Sequence, residues 1–74
     1  GGKDGQLINN AIDRTIHIHG GDASKVRDSL ITEGFPQEKI TPEIEESIKK
    51  IINNILKKIK LTNWLNVLEI LIII

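Results

Sequence analysis

Six isoleucines, at positions 44, 48, 51, 52, 55 and 59, recur at short steps that keep them on one face of a helix. A helix so patterned cannot stay bare in water. It must pack on the rest of the chain or on a partner. Its start is well marked: Thr41 can cap it, Pro42 suits the first turn, and Glu43, Glu45 and Glu46 sit where the helix dipole favours anions. Glu45 with Lys49 and Glu46 with Lys50 stand four apart in the better orientation, each pair worth about 0.3 kcal/mol. Lys57, Lys58 and Lys60 complement the far end, so the spacing predicts a helix over 42–60.

Upstream the pattern changes. Thr15-Ile16-His17-Ile18-His19 alternates polar and apolar with period two, which predicts a half-buried strand over 15–19, ended by Gly20-Gly21. Residues 1–14 are rich in Gly, Asn and Asp and read as loop, with a weak extended stretch at Leu7 and Ile8. A helix over 22–33 follows. Asp22 suits its N-cap, Val26, Leu30 and Ile31 give its apolar stripe, and Pro36 prevents its continuation. With Gly34 at C′, Leu30 and Phe35 become the hydrophobic pair of a Schellman ending. Beyond Lys60, Thr62 or Asn63 suits the cap of a further segment. Leu65, Leu68 and Ile72 give it a helical face, although its closing β-branched run also suits a strand. The expected fold class is therefore α+β, divided near Thr41 into segments 1–40 and 41–74.

Composition narrows the function classes. A chain of 74 residues buries only about 60% of its unfolded surface, so one small core is the ceiling. The absence of cysteine excludes a disulfide scaffold, a thiolate zinc site and a cysteine nucleophile. Ten basic residues balance ten acidic ones, which argues against nucleic-acid binding by bulk charge, and one Phe with one Trp makes no stacking row. The opening residues lack a basic region followed by an apolar run, so no secretory signal is read and a cytoplasmic setting is expected. A chain that opens Gly-Gly-Lys-Asp-Gly without an initiator Met reads as a fragment or processed piece. The apolar stretch 61–74 falls short of the ~20 residues that span a bilayer, and Asn66 and Glu69 interrupt it.

His17 and His19 would share one face of the expected strand and could meet one metal ion with help from Asp22. Two His without a committed third ligand read instead as solvent-face residues, so no metal site is expected. Gly20-Gly21-Asp22 lacks the Lys-Ser/Thr of a phosphate loop, and nothing fixes Ser24 or Ser29 beside either His. No cofactor, small-molecule substrate or catalytic residue is read, and an enzyme is not expected.

One run of motifs reaches further. Gly1-Gly2 and Lys3-Asp4-Gly5 precede Ile16-His17-Ile18-His19-Gly20; Lys25-Val26-Arg27 and Leu30-Ile31 follow, then Gly34-Phe35-Pro36, Glu38 and Ile40. This order resembles the C-terminal half of the translation initiation factor 1 family of eukaryotes and archaea, the SUI-type domain. The resemblance covers residues 1–40. Departures are present: His17 and His19 stand where the family carries Gln, and Gly21 and Ala23 where it carries Asp and Arg. The resemblance implies a partial ferredoxin-like plait with a different second half, from a fragment or degenerate relative of the family. It also implies a non-enzymatic factor that contacts the small ribosomal subunit in start-codon selection. Lys25 and Arg27, with Lys3 and Arg14, would then touch RNA backbone. The rival reading is an interaction module. In it the face of Ile44, Ile48, Ile51, Ile55 and Ile59 drives self-association or, less favoured because of the leading glutamates, adsorption to a membrane surface.

Overall fold

A computed structural model describes residues 2–73. Helix α1 spans Gly2–His17, a 3-10 turn at Ala23–Lys25 runs into α2 (Val26–Thr32), a second 3-10 turn covers Gln37–Lys39, and α3 spans Pro42–Ile73. No strand occurs among the described residues. The expected α+β class, its strand over 15–19 and the partial ferredoxin-like plait are therefore corrected to a three-helix, all-α fold. Gly1 and Ile74, which the resemblance and the apolar tail included, lie outside the described residues.

The physical reason lies in the length over which the period is read. Leu7, Ile8, Ala11, Ile12, Thr15 and Ile16 step along the chain with helical spacing, and the alternation at 15–19 is only the tail of that pattern. Ala11, Ile12 and Thr15 are buried, and Leu7, Ile8 and Ile16 pack against the core. Ile18, expected to face inward, is 63% exposed. From Gly2 onward the supposed loop is thus helix as well. Its Gly and Asn residues are weak helix formers, so burial of the apolar face holds α1 in shape.

At the end of α1 the Gly21 amide donates back to the Thr15 carbonyl at 2.9 Å. Gly20 and Gly21 take φ of 63° and 81°, a region that favours glycine. Asp22 then accepts from the Ser24 amide at 3.0 Å and the Ser24 hydroxyl at 2.7 Å. This cap starts the 3-10 turn, so the helix expected over 22–33 opens in tighter geometry and becomes α-helical only at Val26. Its far end is a Schellman motif: Phe35 N–H donates to Leu30 C=O at 2.9 Å, Gly34 N–H to Ile31 C=O at 3.0 Å, and Gly34 has φ of 92°.

One core gathers Ala11 and Ile12 from α1, Val26 and Leu30 from α2, Phe35 and Ile40 from the connection, and Ile48 and Ile52 from α3. It takes residues from both sides of the boundary drawn near Thr41. Within it Thr15 Oγ1 donates to the Ala11 carbonyl at 2.8 Å and pairs with Ser29 Oγ at 2.9 Å, which satisfies two buried hydroxyls across α1 and α2. Arg14 Nε donates to Glu33 Oε2 at 2.7 Å and ties the same two helices at their edge.

Thr41 caps α3, its Oγ1 accepting from the Ile44 amide at 3.2 Å. From there α3 runs 32 residues without a break, and neither Thr62 nor Asn63 starts a new helix. At 1.5 Å per residue it is about 48 Å long, and it sets the long axis of a molecule measuring 54 × 21 × 20 Å. The expected Glu45–Lys49 pair is not formed: Glu45 lies 4.0 Å from Arg27 instead, and Lys49 is 3.7 Å from Glu46.

Candidate interaction surface

Helix α3 carries two apolar stripes, and only the first is covered. Ile48 and Ile52 are fully inside, with Ile44, Ile55 and Leu56 packed at the margin of the core. Most of the isoleucine face expected to self-associate is thus used within the chain, and of its members Ile51 and Ile59 remain exposed. Between Ile8 on α1 and Ile44, Ser47, Ile48 and Ile51 on α3 lies a shallow apolar groove of about 260 Å³.

Contact with the body ends at Leu56, which rests against Gly21. Residues 57–67 are all exposed. Leu61, Trp64, Leu65, Val67, Ile70, Leu71, Ile72 and Ile73 present large apolar side chains to solvent, with Trp64 58% exposed. Leu61, Trp64, Leu68 and Leu71 repeat at three and four, with Leu65 and Ile72 beside them. At about 100° per residue this stripe points roughly 160° away from the one through Ile44, Ile48, Ile52 and Ile55. The same side of the helix nearer its start carries Glu43, Glu46, Lys50 and Lys57.

Two things leave this stripe uncovered. It points away from α1 and α2, and α3 runs on beyond them, since Ile59 and Ile70, which share the azimuth of the first stripe, are exposed as well. The signal is present in the sequence as a change of phase after Ile59, but reading 61–74 as a separate segment hides it. Phase can be compared only along one continuous helix.

Of the four expected RNA contacts, two stand in ion pairs and two are exposed. Arg14 is held by Glu33, and Arg27 lies beside Glu45. Lys3 stands in the first turn of α1 and Lys25 at the end of the 3-10 turn, both exposed. Lys39, not singled out from the sequence, donates to Asp4 Oδ2 at 2.9 Å, and that bond raises its pKa above the usual lysine value. Ser24, first by its hydroxyl and then by its amide, lowers the pKa of Asp22 below the usual carboxylate value. His17 ends α1 and His19 lies in the turn beyond it, so they share no strand face. Among the described residues no group of three His, Asp or Glu could hold a metal ion, and no helix is long and apolar enough to cross a membrane. The sequence matches no family model, no curated protein and no solved structure.

Proposed function

We propose that this chain is a non-enzymatic interaction module, a small helical body that presents the second half of α3 as a docking surface. The observation that carries this is the contiguous exposed stripe Leu61–Ile72, on the side of α3 turned away from its own core. Apolar surface of this extent on one element marks an association site more often than idle surface. A Trp at its centre is the residue type most enriched among binding anchors. Contact with the small ribosomal subunit rests on the resemblance alone, since the strand on which that resemblance was aligned is part of α1 and the turn after it. A cytoplasmic setting belongs to the same proposal, and fractionation of cells expressing the chain tests it.

Trp64 is the sole Trp and reports on the stripe directly. Acrylamide quenching of its emission is expected to fall as chain concentration rises, or as a binding surface is supplied, with a blue shift as water is excluded. A tryptophan that stays fully quenchable at every concentration, and with vesicles added, would sink the interaction reading.

A further inference from the structure

Resting on that reading, we infer that the occupant of the stripe is a second copy of this chain, laid antiparallel along residues 61–72. Area is the first argument. With large apolar side chains offering on the order of 200 Å² each, the exposed fractions at Leu61, Trp64, Leu65, Leu71 and Ile72 give roughly 600 Å² per copy. A standard stable interface takes about 800 Å² per partner. The stripe is self-complementary in kind, with Leu and Ile at three-four spacing around one Trp, so the same patch serves both sides of a two-fold axis.

Charge decides the orientation. In a parallel pair Lys57 on the line of the stripe meets its own counterpart, and Glu43, Glu46 and Lys50 on the same side do likewise. Every one of those meetings is between like charges. An antiparallel pair avoids them: setting Leu61 level with Leu71 of the opposing copy leaves only the stripes overlapping and sends the two bodies to opposite ends. Lys58 and Glu69 flank the stripe on one side of the helix, and the antiparallel arrangement brings Lys58 within about one and a half turns of the opposing Glu69. A lipid surface would gain the same apolar area but would set no Lys58 beside Glu69 in a fixed register.

Sedimentation equilibrium of the whole 74-residue chain from low to high micromolar concentration tests this. A monomer–dimer equilibrium is expected. Leu65→Glu should weaken it by about 30-fold or more, the scale of a central anchor, while Ile70→Lys, on the other side of the helix, leaves it near the parent value. Both positions lie outside the core, so circular dichroism at high dilution should show an unchanged body. Glu69→Lys should weaken the dimer by about threefold, and Lys58→Glu combined with Glu69→Lys should restore it. A dimer indifferent to the exchange would overturn the antiparallel arrangement. A chain monomeric throughout that instead binds phosphatidylcholine–phosphatidylserine vesicles through Leu65 would overturn the second copy and leave the interaction reading standing. A folded monomer that binds neither would overturn both.

Discussion

The two halves of α3 are both rich in isoleucine, yet one supplies Ile48 and Ile52 to the core and the other leaves residues 57–67 exposed. Ile52 is wholly buried, whereas Leu65, about three and a half turns on, is 52% exposed. The exposed half is the more apolar of the two, so composition alone does not decide burial. What separates them is reach along the axis: the first half lies against α1 and α2, and the second runs on past them, so that even Ile70, about five turns beyond Ile52 and in phase with it, is 57% exposed. Apolar content says that a surface tends to be covered, and the length of the neighbouring helices says whether the chain itself can cover it. Beyond Leu56 the body no longer reaches α3.

Truncations on either side of this divide break the comparison most directly. Ile52→Ala removes side-chain volume from a site with no room to collapse and should cost about 3 kcal/mol. For a chain of this size that lowers the melting temperature by roughly 15 °C. Leu65→Ala, measured at concentrations where the chain is monomeric, should change stability by less than about 0.5 kcal/mol. Urea titrations followed by circular dichroism measure both. Equal losses would mean that the second half of α3 is packed on the body, and the distinction between the halves would fall.

The sequence makes the punctuation of this fold legible and hides its class. Asp22, the Leu30–Gly34–Phe35 ending and the Thr41-Pro42 start are local devices, each complete within a few residues, and each forms the hydrogen bonds its spacing implies. The strand over 15–19 fails because five residues cannot distinguish period two from the end of a 3.6-residue repeat. Ile16 and Ile18 look equivalent in that window, but only Ile16 belongs to the series that begins at Leu7. The docking stripe is a relation between residues on either side of Lys57–Lys60, so it emerges only once Pro42–Ile73 is known to be one helix. The ion pairs are least legible, because Glu45 finds Arg27 across the fold rather than Lys49 along its own helix.

The boundary between the halves can be sharpened at Gly21. Its φ of 81° is unfavourable for any residue with a Cβ, and a methyl added there would stand 2.7 Å from Leu56 Cδ1. Gly20 has a similar φ of 63°, but an added methyl meets nothing within 4 Å. Both Ala substitutions cost about 1–2 kcal/mol for the left-handed backbone. Gly21→Ala must in addition rotate Leu56, the last side chain that α3 lays against the body. Gly21→Ala should therefore be the more destabilising of the two in denaturant titration. It should also speed amide hydrogen exchange at Ile55 and Leu56 in the last covered turn, which Gly20→Ala leaves slow. If the two substitutions behave alike, the contact with Leu56 does not anchor the end of the covered half.

The smallest effect expected at this boundary is electrostatic. Asp22 orders the turn that carries Gly21, and the Ser24 hydroxyl and amide together hold its pKa below the usual value of 3.8. A carboxylate whose folded pKa is depressed contributes stability that is fully present above the unfolded value and is lost as pH falls through the folded one. Acid should therefore loosen the Gly20–Ser24 turn only below pH 3.8, and the seat of Leu56 with it. The stripe beyond Lys60 does not rest on that turn and should keep its exchange rates at constant chain concentration. Ser24→Ala removes the hydroxyl, the larger of the two causes, and should move the Asp22 titration back toward 3.8 while the amide bond keeps part of the shift. Carboxyl-detected NMR of Asp22, with amide exchange read at Leu56 and Leu65 across the same pH series, measures both at once. Acid loosening that reached Leu65 together with Leu56 would show that the two halves respond as one unit.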